Sequence, residues 1–206
     1  MREHGQSLIE FTIFLPIFIV LIAALANLGF WFVERMQVLD ATREGARYGT
    51  DGDPENYKEE INAHSPLYTM DIKIDCDTET DFYAVIACYS ESLLSYGGID
   101  LENDNGFDDV VVSAYTIVNG RAKYYFPEDT PSGWSWTGNQ VSKYDVTLID
   151  ESVEDDVPIS GIVIVEVYKL HHQKFCIPIF SAFVPCDIPM YAYSIFPNST
   201  AASLGY

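Results

Sequence analysis

Basic residues are scarce in this chain, and that scarcity argues against several kinds of partner. The 206 residues include 11 lysines and arginines against 31 aspartates and glutamates, for a formal net charge of -20 at pH 7. Nearly all of the acidic excess lies after Gly49. Such a surface repels phosphate groups, so we expect no binding to nucleic acid and no docking of this region on anionic lipid. The simplest interpretation is a soluble, self-repelling exterior.

Sequence motifs of catalysis and zinc binding are also lacking. The chain has no G-x-S-x-G, no glycine-rich phosphate loop, no H-E-x-x-H and no cysteine–histidine nucleophile signature. It has no C-x-x-C, which argues against a zinc site. We therefore expect a protein that is not an enzyme and that needs no cofactor, and an extracytoplasmic enzyme is the least favoured alternative.

The cysteines are few, and all four follow the longest apolar run. An even number of cysteines beyond a membrane segment predicts disulfides in an oxidising compartment. Four cysteines allow three connectivities. The two local pairs, Cys76–Cys88 and Cys176–Cys186, are favoured, and buried thiols are the alternative.

The strongest positive feature is a run of 23 residues without a charge, residues 11–33. As a helix it would reach roughly 34 Å, enough to cross a hydrocarbon core of about 30 Å. The run predicts a single-pass membrane helix. The flanking charges nearly cancel, so they do not set the orientation. The acidic bulk and the cysteines favour a cytoplasmic N-terminus and an extracytoplasmic C-terminal region.

Gly5 and Glu10 frame the entry to this run. A carboxylate at the mouth of a membrane helix is costly unless it has a partner. If a peptidase cuts after Gly5, Gln6 becomes the N-terminus and Glu10 the fifth residue, roughly 6 Å further along the helix. The ammonium of one subunit could then pair with Glu10 of a neighbour and set their axial register.

Residues 5–16 read GQSLIEFTIFLP and contain both the Gly5–Glu10 spacing and a Leu-Pro pair. Residues 41–49 read ATREGARYG. The combination resembles the TadE family of pseudopilins from tight-adherence (Tad/Flp) pilus systems, whose N-terminus is like that of type IV pilins. The resemblance implies cleavage after Gly5 by a prepilin peptidase and a role in pilus assembly, adhesion or secretion. It implies as partners other pilin subunits, the peptidase, the pilus assembly platform and membrane lipid. The chain departs from many type IV pilins in having Gln6 where they carry Phe. Residues 163–168 and 188–193 look TadE-like more loosely.

Two other interpretations of the apolar run compete. One is an uncleaved signal anchor on a surface binding protein. The other is a secretory signal peptide, because Ala24-Leu25-Ala26 fits an A-x-A cleavage site that would leave Asn27 as the N-terminus. Against the latter, the run is longer than a usual signal-peptide core of about 7–15 residues.

After residue 33 the helix is predicted to continue to about Tyr48. Ala41, Gly45 and Gly49 fall four apart and form a stripe of small residues, which lets another backbone approach closely. The stripe would pack between subunits or against the chain's own globular domain. The alternative is that these small residues have no packing role and that a glycine simply caps the end of the helix.

The sequence divides into a leader (1–5), a transmembrane and stalk helix (6–49) and an acidic extracytoplasmic α+β domain (50–206). The expected fold class is α+β and pilin-like, with a small antiparallel sheet and helices on one face. Helices are predicted from Asp53 to His64 and, capped by Thr78 or Thr80, up to Gly97-Gly98. Strands are predicted at residues 70–76, 109–118, 121–126, 141–149, 162–171 and 190–196.

Two surface features are candidate sites. Trp134 and Trp136 would share one face of an extended segment, where they form a contact patch for a partner or glycan or pin the loop to the core. An acidic cluster before the strand at residue 109 supplies calcium-type oxygen ligands. Its EF-hand register fails because the first ligand position would be Leu101, and a solvated acidic turn is the simpler interpretation. The calcium candidates are Asp100, Glu102, Asp104 and Asp108.

Overall fold

The computed structural model describes residues 3–50, 52–55, 81–98, 101, 105–127, 133–153, 159–176 and 184–203, with only the backbone of residues 3–9 and 203. The chain forms two compact units. One unit comprises Met1–Met36 and His171–Ile188, and the other comprises Gln37–Leu170 and Pro189–Tyr206.

A single long helix, α1, runs over Glu3–Tyr48 and has Pro16 in its interior. The prediction that the helix continues to Tyr48 is confirmed. The backbone N–H of Gly49 still bonds to the Gly45 carbonyl, at 3.2 Å, before the helix ends. The predicted membrane run and the predicted stalk are therefore parts of one helix.

The second helix, α2, spans Phe82–Tyr96 and begins at a different cap from the one predicted. The Asp81 carboxylate accepts hydrogen bonds from the N–H groups of Tyr83 and Ala84, both at 3.0 Å. Asp81 thus satisfies the open donors of the first turn, and the predicted cap at Thr78 or Thr80 is wrong. The predicted stop is confirmed, because Gly97 is the C-cap.

Within the described residues the sheet has five strands: β1 (Asp109–Val118), β2 (Arg121–Phe126), β3 (Trp134–Ser135), β4 (Ser160–His172) and β5 (Asp187–Pro197). Its order is β2-β1-β4-β5, with the short β3 also paired to β1. β1 is antiparallel to β2, β3 and β4. Asn119 and Gly120 turn the β1–β2 hairpin with positive φ angles of 52° and 74°, as the Asn-Gly pair predicts. The strands predicted at residues 109–118, 121–126, 162–171 and 190–196 are confirmed.

The strand predicted at residues 141–149 is wrong. Residues Val146–Ser152 form a helix, α3, whose N-cap Asp145 accepts a hydrogen bond from the Leu148 N–H at 2.8 Å. The apolar residues that suggested a strand do not share a buried face, since Val141 is 62% exposed. The helix predicted from Asp53 and the strand at residues 70–76 lie largely or wholly outside the described residues.

The core lies on both faces of β1, nine of whose ten residues are buried. Neighbouring strand residues point to opposite faces. The Tyr115 hydroxyl donates to the Tyr144 carbonyl at 2.7 Å, next to α3. The Thr116 hydroxyl donates at 2.6 Å to the Ala201 carbonyl, which belongs to a last short helix, α4 (Ser199–Ser203). The α+β class is confirmed, but helices cover both faces of the sheet rather than one.

Candidate functional site: the N-terminal helix and its anchorage

The first part of α1 exposes large apolar side chains almost continuously. In its most apolar 18-residue window the mean hydropathy is 2.5 and only 6% of the window is buried. Among the described residues this is the one helix long and apolar enough to cross a membrane. Phe11, Phe14, Phe18 and Leu25 are each more than 60% exposed. An apolar surface of this extent marks a membrane or protein interaction site.

Gly5, Gln6 and Glu10 lie on the first turns of α1, where the helical backbone is continuous from Glu3. Four residues of helix separate Gln6 from Glu10, a rise of roughly 6 Å. The side chain of Glu10 is exposed. The backbone therefore has the spacing that the proposed pairing between subunits requires.

The stripe of small residues lies in the other part of α1 and is buried. Ala41 is 0% exposed. A Cβ atom at Gly45 would collide with Ser90 Oγ and lie 3.3 Å from the Ile86 carbonyl oxygen. A Cβ atom at Gly49 would come within 2.9 Å of Ile86 and 3.0 Å of Val163. The stripe packs against α2 and β4, so of the alternatives considered it is used for packing against the chain's own domain.

Polar contacts fix the end of α1. Asn198, which follows β5 and is 1% exposed, donates from its side-chain amide to the carbonyls of Gly49, at 2.5 Å, and Gly52, at 3.0 Å. Thr42 and Ser194 share a hydrogen bond of 3.1 Å between their hydroxyls. Asn198 therefore satisfies two carbonyls just beyond the end of α1, and the Thr42–Ser194 bond links α1 to β5. Sequence reasoning missed Asn198, because its partners are about 150 residues away in the chain.

A polar residue inside the apolar run anchors a distant loop in the unit that contains it. Asn27 donates to the Phe175 carbonyl and accepts from the Phe175 N–H, both at 3.0 Å. A further bond of 3.3 Å joins its amide to the Gln173 side chain. Asn27 is 8% exposed. Sequence reasoning did not single it out as a contact, although a lone amide in an uncharged membrane run is itself a signal for a partner.

The loop that Asn27 holds is closed by a disulfide between Cys176 and Cys186, whose Cα atoms are 5.5 Å apart. This is one of the two local pairs favoured from the sequence. The backbone N–H of Gln173 donates to the Cys186 carbonyl at 2.8 Å and joins the same two chain segments. Cys88 is also disulfide-bonded, and Cys76, its predicted partner, lies outside the described residues.

His171 and His172 point to opposite sides of β4, as adjacent strand residues should. The Nδ1 atom of His171 lies 2.5 Å from the Glu34 carboxylate, and this histidine is 1% exposed. His172 is exposed and its Nδ1 lies 2.6 Å from Asp187. The two neighbours therefore differ in exposure: His171 is buried against Glu34, and His172 lies at the surface.

The tryptophan loop packs on α2. Trp134 is 3% exposed and stacks on Tyr83, with 6.0 Å between ring centroids. The Trp136 indole N–H donates to the Glu91 carboxylate at 3.0 Å. A partner or glycan cannot reach Trp134 in this position, so the loop is pinned to the core and the contact patch predicted for Trp134 is not supported.

Asp109 organises the same loop from the first position of β1. Its carboxylate accepts from the Ser135 hydroxyl at 2.5 Å and from the N–H groups of Thr137 and Gln140 at 2.9 and 2.7 Å. Burial raises the pKa of Asp109, and these hydrogen bonds oppose the increase. Asp109 therefore has a structural role: its carboxylate holds the tryptophan loop through three hydrogen bonds.

The acidic cluster does not supply a calcium ligand at Asp108. Its carboxylate is buried, forms an ion pair of 2.5 Å with Lys169 and accepts from the Leu170 N–H at 2.6 Å. Lys169 supplies the positive charge that a calcium ion would otherwise provide. Asp100, Glu102 and Asp104 lie outside the described residues. Within the part of the chain that the structure describes, no group of three or more His, Cys, Asp or Glu side chains could hold a metal ion.

Glu166 is a fully buried carboxylate in the middle of β4. It accepts from the Lys143 N–H at 3.0 Å and from the hydroxyls of Tyr168 and Tyr191 at 3.1 and 2.8 Å, and it also contacts the Ser142 hydroxyl. Burial and the negative charge of Glu166 raise the pKa of both tyrosines. Sequence reasoning missed this network, whose signal was a single acid within a valine-rich strand.

Residues 5–47 match the family model described as "TadE-like protein". The match begins at Gly5 and includes Glu10 and the stalk, and it confirms the resemblance drawn from the motifs. It covers 43 of the 206 residues and stops before α2 and the sheet. No curated protein and no solved structure matches the chain significantly.

Proposed function

We propose that this protein is a membrane-anchored pseudopilin or minor pilin of a Tad-type pilus, which acts in pilus assembly, adhesion or secretion. One observation carries the proposal: the TadE-like segment coincides with a helix whose first part exposes a membrane-length apolar surface. A signal-anchored surface binding protein is the alternative. It is less favoured because Trp134, half of its expected contact patch, is buried.

In the proposed pathway a prepilin peptidase cuts after Gly5 on the cytoplasmic side. The new ammonium of Gln6 and the carboxylate of Glu10 then lie close enough in axial position for pairing between neighbouring subunits. Pairing neutralises two charges that hydrocarbon penalises, and it fixes the register of the helices. The partners are other pilin subunits, the peptidase, the assembly platform and membrane lipid.

The position of the small-residue stripe restricts which surface is left for other subunits. Gly45 and Gly49 are already covered by α2 and β4, and Ala41 is fully buried. Contacts with neighbouring helices therefore fall to the exposed apolar residues of α1, and the acidic domain remains outside the membrane. The proposal assigns this domain no catalytic activity, and substrate turnover by it would contradict that assignment.

The Glu10→Ala variant tests the proposal in cells that produce the pilus. It should insert into the membrane at the wild-type level but fail to enter sheared pili, because the ammonium of its neighbour loses its partner. Glu44→Ala is the matched control: it removes an acid on the same helix that pairs with Arg47 within its own chain. Incorporation of Glu10→Ala at the level of Glu44→Ala would contradict the proposed pairing.

A further inference from the structure

The chain segments that flank the Cys176–Cys186 disulfide loop are tied to α1 at Asn27, and all of them belong to one compact unit. Asn27 exchanges two hydrogen bonds of 3.0 Å with the backbone of Phe175. Its amide also donates to the side-chain oxygen of Gln173 at 3.3 Å. The flanking segments therefore lie at the same level as Asn27, wherever that level falls relative to the membrane.

The flanking segments have charges and irregular backbone that hydrocarbon does not accept. His172 and Asp187 form an exposed ion pair of 2.6 Å, and Lys174 is also exposed. Lysine or aspartate at the centre of a membrane helix costs about 2.5–3.5 kcal/mol. Residues 173–176 form neither helix nor strand. Backbone of that kind does not face lipid within the hydrocarbon, because its N–H and C=O groups would lack partners there. The flanking segments therefore stay in the headgroup region or in water.

This requirement conflicts with a hydrocarbon core filled by the whole uncharged run, residues 11–33. In that placement Asn27 would lie six residues, roughly 9 Å, below the outer edge of the core. The bonds from Asn27 would then carry Phe175 and its neighbour Lys174 to the same depth. Either the bonds break in the membrane or the core ends before Asn27.

A core that ends just before Asn27 takes residues 7–26, because about 20 helical residues cross about 30 Å. The charge that enters the core in this placement is Glu10, roughly 5 Å inside the inner edge. The apolar residues left outside are partly covered already: Asn27 is 8% exposed and Trp31 is half-buried. One carboxylate near an edge costs less than an ion pair, a lysine and open backbone carried inward.

We infer that the segments flanking the disulfide loop act as a depth stop: they hold α1 at the outer surface of the bilayer, so that the hydrocarbon takes residues 7–26 rather than 11–33. The inference rests on the membrane anchorage in the proposed function and specifies which part of α1 meets lipid. Gln6, the N-terminus expected after cleavage, then lies at the inner edge of the hydrocarbon. Residues 27–33 lie outside the hydrocarbon, on the same side as the acidic domain.

The test is spin labelling of the full chain in phosphatidylcholine vesicles, with the depth of each nitroxide measured from its collisions with oxygen and with a water-soluble nickel chelate. The label is attached in turn to Phe11→Cys, Phe18→Cys and Phe32→Cys, whose native side chains are 65%, 61% and 58% exposed. We expect the Phe11→Cys label roughly 6 Å inside the hydrocarbon and the Phe32→Cys label roughly 9 Å outside it. The Phe18→Cys label lies deep in either placement and is the control. Labelling of one thiol per chain shows that the disulfides stayed intact.

Equal depths for the Phe11→Cys and Phe32→Cys labels, or a deeper Phe32→Cys label, would overturn the inference, because residues 11–33 would then be centred in the bilayer. Hydrogen exchange at the Phe175 amide in the same vesicles reports whether the flanking segments remain on α1. The expected depths without protection of that amide would overturn the role of the flanking segments. A chain absent from the membrane fraction would contradict the anchorage as well, whereas an inserted chain with equal depths overturns the depth stop alone.

Discussion

The two parts of α1 belong to the same helix but have opposite surroundings. Residues 11–33 expose large apolar side chains, whereas the last turns bury small ones: Phe18 is 61% exposed and Ala46 is 0% exposed. Side-chain size, rather than hydrophobicity alone, therefore separates the two roles. Large apolar residues suit lipid or other helices, and glycine or alanine permits close packing on a folded domain.

The largest expected effect comes from adding bulk to each part in turn. Gly45→Leu should destabilise the domain by about 3 kcal/mol or more, because the new side chain must displace Ser90 and the α2 backbone. Gly29→Leu makes the same change where a Cβ atom would meet nothing within 4 Å. Thermal unfolding followed by near-UV circular dichroism in detergent measures both. Equal stability of the two variants would contradict the distinction between an exposed first part and a buried last part of α1.

A second comparison concerns amide side chains that bond to carbonyls near helix ends. Asn198→Ala removes two buried bonds to the carbonyls of Gly49 and Gly52, and should cost about 2 kcal/mol of unfolding free energy. Gln37→Ala removes one exposed bond of 3.5 Å to the Gly97 carbonyl and should change stability by less than about 0.5 kcal/mol. Denaturant titration of the two variants gives the difference. A larger cost for Gln37→Ala would contradict the description of how α1 is held.

The apolar part has its own, weaker anchor at Asn27. Asn27→Leu removes the paired bonds to Phe175 and should loosen the disulfide loop by about 0.6 kcal/mol, and by no more than about 1.7 kcal/mol, which are the average and the maximum for polar contacts between membrane helices. Faster hydrogen exchange at the Phe175 amide and faster reduction of Cys176–Cys186 would show this. Leu25→Ala shortens an exposed side chain of the same helix and should leave both rates unchanged. Unchanged rates in Asn27→Leu would show that the loop is held by other contacts.

Alkaline pH should lower the folding stability of the domain that follows α1 and should not affect the apolar part of α1. All fourteen tyrosines lie at or after Tyr48, and residues 11–33 contain no ionisable side chain. Burial raises the pKa of Tyr115 to about 12. Because unfolded tyrosines ionise near about pH 10, the stabilising contribution is complete below that pH and is lost as pH rises from about 10 to 12.

An absorbance titration of the tyrosines checks this prediction. Glu166→Gln should lower the pKa of Tyr168 and Tyr191, because it removes the negative charge of Glu166 beside their hydroxyls. Burial would still keep both pKa values above the ordinary one. Membrane retention of α1 should not change over the same pH range. Tyrosines that all titrate at the ordinary pKa would contradict the buried network around Glu166.

Local patterns accounted for much of the fold. The apolar run, the valine-rich β1 and β4 and the Asn119-Gly120 turn are encoded by neighbouring residues, so their positions could be predicted. Residues 141–149 were misread because Asp145 caps a helix where scattered apolar residues suggested a strand. The cap of α2 was misplaced because Thr78, Thr80 and Asp81 are all capping residue types, and the sequence alone does not show at which of them the helix begins.

The site was predictable only where its chemistry is local. Gly5 and Glu10 were singled out from their spacing and stay a prediction, whereas the stripe was recognised from its period of four and is buried in the structure. Asn198, Asn27 and the Glu34–His171 pair depend on partners more than 130 residues away, which no local pattern reveals. Trp134 was assigned a surface alternative because Tyr83, on which it stacks, lies about 50 residues earlier in the chain and no local pattern links the two.

The most direct test of the central claim is the mass of the mature N-terminus in pilus-producing cells. Cleavage after Gly5 predicts a chain that begins at Gln6 and keeps the entire apolar part of α1 with Glu10 near its start. A chain that begins at Asn27 would contradict the pilin assignment, because the membrane-length surface would have been removed as a signal peptide. A chain that keeps Met1 would contradict the processing step and leave only an uncleaved anchor.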